Sequence, residues 1–255
     1  MRLYQYWDNG APPPEVAEWI QGFRGANPDF RHRLFDRDSA SWFIKKHFGK
    51  REQEAFELLL VPSMQSDYFR SCALVKSGGV YADADFQCLR PLSGLLGRAP
   101  KTFLLVWDHH VASGFLMVRQ AQDPYLKACL DFATRNIELR RFADLQPRFL
   151  AAGAVAGPDV FSCIYNLAHP APSDSGPLAL KHFEPSVMAA VREEVAVTPE
   201  LREAVAGATL VHSLTAAKWL GTVQPAYKET GRHWLNWRGS IYADPPATGA
   251  KPAGR

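Results

Sequence analysis

Residues 77–86 read SGGVYADADF. Two glycines close one element, and the run that follows places Asp83 and Asp85 one residue apart among small and apolar neighbours. In an extended chain alternate side chains share a face. Tyr81, Asp83 and Asp85 are therefore expected on one side of a strand, with Val80, Ala82 and Ala84 on the other. Two carboxylates so placed would lie about 7 Å apart. At an effective dielectric of about 20 their repulsion is roughly 2 kcal/mol, so a positive charge is expected between them.

The elements around this stretch set its context. "RLYQYW" (2–7) reads as a first strand and "GAPPPE" as a turn. Val16, Trp19, Ile20 and Phe23 then fall at the i, i+3, i+4, i+7 spacing of a helix stripe. "DFRHRLFD" (29–36) alternates like a second strand, and helical stretches follow at 39–48 and 51–60. A further helix opens at Pro62, which suits a first helical position, and ends at Gly78 and Gly79, where a left-handed cap costs glycine little. It carries Asp67 and Arg70 at i, i+3 on one face. Beyond the acids, "TFLLVWD" (102–108) and "GFLMVR" (114–119) read as strands. A helix begins at Asp123 and Pro124, a second at Gly157 and Pro158, and a late strand is "ATLVH" (208–212). This alternation predicts an α/β domain with a mainly parallel central sheet. Ligands bind such sheets at the carboxyl ends of the strands, where Asp83 and Asp85 fall.

The 255 residues, 47% of them hydrophobic, suffice for one large domain, expected over 1–242 with an unordered tail over 243–255. A formal net charge of +3 offers no basic surface for nucleic acid, and the basic run "RNIELRRF" (135–142) is expected to cover a solvated helix face. Cys72, Cys88, Cys129 and Cys163 lack metal-type spacing and are expected as reduced core residues. "MRLYQYW" has no apolar signal region, and no stretch approaches the ~18 apolar residues of a membrane span, so a cytoplasmic protein is expected. His109 and His110 are neighbours on an expected strand, so they point apart and make poor co-ligands.

The runs "YQYWDNGAPPPEVAEWIQGFRGANPDFRHRLFD" (4–36) and "SDYFRSCALVKSGGVYADADF" (66–86) resemble glycosyltransferase family 32, the sugar transferases with a DXD motif. The resemblance covers residues 3–90. It rests on a Trp ending the first strand, "NPDF" before the second, an Asp and Arg on the helix before the motif, and "GGVYxDxD". Fainter echoes are "SGFLMVRQAQDPYL" (113–126), "GPDV" (157–160) and "VHSLTAAKW" (211–219), with departures at Ser113, Ala156 and Lys218.

The resemblance implies a GT-A (Rossmann-like) fold and transfer of a sugar from a UDP- or GDP-sugar to a saccharide, glycolipid or other hydroxyl acceptor. Configuration would be retained, with Mn²⁺ or Mg²⁺ as cofactor and polysaccharide synthesis in a bacterium as setting. Donor contacts are expected from Trp7, Asp67, Arg70, Tyr81, Asp83 and Trp219, and metal contacts from Asp83, Asp85 and His212. His212 ends the late strand, seven residues before Trp219. No protein nucleophile is expected, because the departing phosphate can take the acceptor's proton. Peripheral membrane contact is compatible with a glycolipid acceptor. The other classes weighed are an inactive nucleotide-sugar binding module and a metal-dependent phosphohydrolase. A phosphohydrolase would follow its aspartate with a small hydroxylic residue, whereas Phe86 and Gln87 stand here.

Overall fold

The computed structural model describes residues 1–97, 101–107, 110–146, 148–169, 184–222, 228 and 236–244. The chain begins β1 (Arg2–Tyr6), α1 (Pro14–Ala26), β2 (Arg31–Phe35), α2 (Arg37–His47), α3 (Lys50–Leu58), α4 (Pro62–Ser77), β3 (Gly79–Ala82). It continues β4 (Phe86–Cys88), α5 (Ser93–Leu96), β5 (Thr102–Trp107), β6 (His110–Val118), α6 (Pro124–Glu138), α7 (Arg148–Ala156), α8 (Pro158–Ala168). The last elements are α9 (Pro185–Glu194), α10 (Pro199–Ala206), β7 (Ala208–His212), α11 (Ser213–Ala216) and β8 (Leu220–Thr222).

Six strands form one sheet in the order β2-β1-β3-β6-β5-β7. The pairs β1–β2, β1–β3 and β5–β7 are parallel, whereas β6 runs antiparallel to both β3 and β5. Only β6 is reversed, so the sheet is mainly parallel, of the α/β kind the sequence predicts. Strand alternation sorts the core into two layers. Tyr4, Tyr6, Tyr81, Leu104 and Leu116 pack with α4, α6 and α8 on one face. Leu3, Val80, Ala82, Phe103 and Met117 pack with Phe23 of α1 and Leu95 of α5 on the other.

Local chemistry fixes the element ends. Gly78 (φ +59°) caps α4 by donating its N–H to Leu74 O. Gly79 (φ +118°) lies so close to β1 that a Cβ there would sit 2.7 Å from Arg2 O. Asp123 caps α6 by accepting from the Tyr125 and Leu126 N–H groups, with Pro124 as the first helical residue. Val16, Ile20 and Phe23 of α1 are buried, as their spacing predicts.

Several local expectations are corrected. The acids do not lie on a strand: β3 stops at Ala82, and Asp83 O accepts from Phe86 N at 3.2 Å in a turn. The ladder ends because Ala82, opposite Phe115, is the last β3 residue that β6 pairs. Ala243, placed in the tail, is still tied to the packed chain, since its N donates to Leu58 O at 2.8 Å. The rest of that tail, from 245, lies outside the described residues, as does His109. Cys72, Cys129 and Cys163 are buried thiols, but Cys88 is half-buried on β4, where its thiol donates to Arg90 O. The basic run after Thr134 is not simply solvated: Arg135 and Arg141 both pair with Glu194. Among the described residues no helix is long and apolar enough to cross a membrane.

Candidate active site at the carboxyl edge of the sheet

Helix α4 is buried on every side from Met64 to Val75. A helix in that position is normally apolar all round, yet this one carries Gln65, Ser66, Asp67, Arg70 and Ser71 into the interior. Buried polar groups must find partners, and these find one another and the acid turn. Arg70, 3% exposed, is the hub. Its Nη1 lies 3.0 Å from Asp67 Oδ1, and its Nη2 lies 2.9 Å from Asp83 Oδ1 and 3.0 Å from Ser66 Oγ. The guanidinium lies over the Tyr81 ring, 4.6 Å from its centroid. The Tyr81 hydroxyl shares a 2.6 Å hydrogen bond with Ser66. Arg70 Nε is buried with no hydrogen-bond partner in the structure.

Strands β1 and β6 reach the same group. Ser113 of β6 donates its hydroxyl to Asp67 Oδ1 at 3.2 Å, so one of the residues that departs from the family pattern still reaches the site. Gly157, before α8, lies where a Cβ would be 3.0 Å from Asp67 Oδ2. Asp83 N donates to Gly114 O at 2.7 Å, and the Gln5 amide of β1 reaches Asp83 O at 3.4 Å. Asp85, within the same turn, is held differently: Lys228 Nζ lies 2.9 Å from its Oδ2. The positive charge expected between the acids is thus supplied, in the protein itself, by two side chains remote in sequence, Arg70 on Asp83 and Lys228 on Asp85.

Electrostatics follow from this burial. Removal from water pushes the Asp67 carboxyl up to about 7, against the pull of Arg70 and with Asp83 adding to the rise. Burial likewise raises Asp83; Arg70 opposes the shift and Asp85 adds to it. The fork of Arg70 therefore fixes two carboxylates at once, a geometry that a lysine point charge does not reproduce.

The residues predicted from sequence separate into three groups. Asp67, Arg70, Asp83 and Asp85 come together. Trp7 joins them from the end of β1, half-buried in a cluster that includes Ala84, the residue between the two acids. Tyr81 is fully buried, so it supports Arg70 from beneath and has no surface to offer a donor. Trp219 follows α11, and β8 pairs antiparallel with β4, the strand leaving the acid turn. Its backbone O accepts from Leu89 N, and its indole packs against Gly94 of α5. His212 is not brought to the acids. It is exposed at the end of β7, where Nδ1 caps α11 by accepting from Leu214 N at 3.2 Å. The order β3-β6-β5-β7 puts three strand spacings, about 14 Å, between its strand and that of Asp83. Among the described residues no three His, Cys, Asp or Glu side chains gather as a metal-binding group.

Ser66, Ser113, Gly114 and Lys228 belong to the site and were missed. Gly114 had a readable signal, a glycine inside a strand, which marks a bulge or close approach. A Cβ there would lie 2.4 Å from Asp83 Oδ2 and 3.1 Å from the Phe86 ring. Gly114→Ala is therefore expected to displace the Asp83 carboxylate. Any activity that depends on the acid turn should fall roughly ten- to a hundredfold, as a misplaced reactive group does. Steady-state kinetics check this, and a wild-type rate would show that the turn yields without cost.

A second carboxylate lies beyond Ser113. Asp159 of α8 is 9% exposed, and His110 Nε2 lies 3.7 Å from its Oδ1. Burial, with Glu184 adding to it, pushes the Asp159 carboxyl up to about 6. The folded state therefore holds this proton more tightly than the unfolded chain does. The stability this group contributes is present below about pH 4 and is lost as pH rises through about 6. Asp159→Asn removes that loss, so the variant should gain on the order of 2 kcal/mol over wild type between pH 4 and pH 8. Urea unfolding across that range reads the difference, and parallel pH curves would contradict the assignment.

Residues 13–102 match the family model of the glycosyltransferase sugar-binding region containing DXD motif. The initiation-specific alpha-1,6-mannosyltransferase of Schizosaccharomyces pombe is 24% identical over 98 residues, 36% of this chain and 25% of that protein. The putative glycosyltransferase HOC1 of Saccharomyces cerevisiae is 27% identical over 92 residues, 35% of this chain and 23% of that one. The matched stretch thus spans about a quarter of these fungal relatives' length. A solved structure, the PaToxG glycosyltransferase, aligns with a TM-score of 0.42 at 15% identity, over 80% of this chain and 78% of that one. The two acids of the turn and the arginine that anchors the first of them all fall inside residues 13–102, the stretch that is similar to the glycosyltransferase sugar-binding region containing DXD motif.

Proposed function

We propose that this protein transfers a sugar from a UDP- or GDP-sugar to a hydroxyl of a saccharide or glycolipid acceptor, with retention and with a divalent cation. The observation that carries this is the acid turn at the carboxyl edge of the sheet, with Asp83 anchored by Arg70 and Asp85 beside it. The donor set consists of carboxylate oxygens, which suit Mg²⁺ or Mn²⁺, and two carboxylates leave room in the shell for phosphate and water. The cation, when bound, neutralises charge that develops on the leaving diphosphate. Arg70 holds Asp83 in one orientation toward the turn, Trp7 offers an aromatic face beside Ala84 for the nucleotide base, and Asp67 keeps Arg70 in place. No side chain needs to act as nucleophile if the acceptor approaches the face that the leaving group vacates. His212 is not part of this reading, since its strand lies at the far edge of the sheet.

A thermal-shift screen of UDP- and GDP-sugars with Mn²⁺, GDP-mannose included because one relative is a mannosyltransferase, tests the proposal. A bound donor at a hundred times its Kd is expected to add about 2.7 kcal/mol, and excess EDTA to remove it. Full donor stabilisation in EDTA would rule out the cation. Release of free sugar or phosphate to water, with no acceptor product, would favour the phosphohydrolase. Binding with no turnover alongside acceptor would favour the inactive module.

A further inference from the structure

Lys228 stands far along the chain from the acid turn, yet its Nζ lies 2.9 Å from Asp85 Oδ2. The pair is partly shielded from water, the Lys228 side chain being 21% exposed and that of Asp85 14%. Its backbone is held as well, since Asn236 Nδ2 donates to Lys228 O at 2.8 Å. The two acids are thus neutralised in unlike ways. Arg70 is buried in α4, is fixed by Asp67, Ser66 and Tyr81, and has no route to leave. The lysine, by contrast, is a single ammonium on a flexible four-carbon stem that can change partner.

A divalent cation and an ammonium cannot both take full advantage of one carboxylate, so each weakens the other's hold on Asp85. A nucleoside diphosphate changes that balance because it brings several negative oxygens to the same turn and can take over the ammonium. We propose that Lys228 is the internal counter-ion of Asp85, competing with the divalent cation for that carboxylate and transferring to the donor diphosphate, so that cation and diphosphate bind cooperatively. The inference rests on the nucleotide-sugar reading above and deepens it. By linkage the nucleotide strengthens the cation's binding by the same factor as the cation strengthens the nucleotide's. The free protein is thereby kept from filling its site with metal alone.

The test is titration of Mn²⁺ into the full chain by electron paramagnetic resonance, with and without UDP or GDP, for wild type, Lys228→Met and Lys228→Arg. In wild type, Mn²⁺ alone is expected to bind weakly and nucleotide to tighten it. Lys228→Met should bind Mn²⁺ alone about tenfold more tightly, since a competing charge a few ångströms away is gone. It should also lose most of the nucleotide's enhancement, whereas Lys228→Arg, which keeps a cation, should retain the enhancement. Thermal melting establishes that each variant is folded. If Lys228→Met misfolds, the arginine variant and Lys228→Gln carry the same comparison. A merely structural ion pair would leave the nucleotide's enhancement unchanged, and that result overturns the proposal while sparing the function. Absence of any Mn²⁺ or nucleotide binding in wild type overturns both.

Discussion

Asp85→Asn is expected to lower the proposed glycosyl transfer about 10²- to 10³-fold, the usual consequence of removing one preorganised electrostatic group from a transition state with developing charge. It should do so at little cost to the fold. Asp85 lies in a turn, a position where asparagine is equally at home, and the side chain it leaves behind, Lys228, is 21% exposed and can be solvated. Stability is expected to stay within about 1 kcal/mol of wild type, as for substitutions away from a core network. Asp83→Asn should differ, because Asp83 is tied to buried Arg70 and its loss leaves part of a buried positive charge uncompensated. The two acids look equivalent in the motif. Paired urea titrations and kinetics on the two variants separate them, and equal loss of stability would mean that both carboxylates are structural.

Arg70→Met is expected to destabilise the protein by about 3–5 kcal/mol, the cost of removing one partner from a buried ion pair. Asp67 is 6% exposed, so without Arg70 its charge has neither water nor a counter-ion. The defect should shrink in acid. Burial already pushes the Asp67 carboxyl up to about 7 with Arg70 pulling down, so removing that pull raises it further. The variant's folded state then takes up a proton more readily, and the stability deficit should be smaller at pH 5 than at pH 8. Arg70→Lys keeps the charge but cannot place one donor on Asp67 and another on Asp83 while lying over Tyr81. It should fold and turn over well below wild type. A deficit in Arg70→Met under about 1 kcal/mol would return Arg70 to the class of surface pairs.

The sequence by itself determined what depends on short-range chemistry. The glycine pair 78–79 ends α4 because only a residue without a Cβ fits the left-handed backbone beside Arg2 and Val118. Period-two and period-3.6 apolar spacing gave β1, α1, β2 and β7 their places, and proline with a capping aspartate opened α6. Asp67, Arg70, Asp83 and Asp85 were legible because they lie within one helix and the strand and turn after it. Only the tertiary structure decided the partners of those charges. Ser113 comes from β6, which is reversed between β3 and β5, and Lys228 arrives from beyond β8. His212 illustrates the same limit from the other side. Its strand end is on the predicted edge of the sheet, but strand order is set by which apolar faces pack, and that order leaves it three strands from the acids. Local periodicity fixes where a side chain sits along its own element. Which distant charge meets it is settled only when the whole core closes and every buried polar group must find a partner.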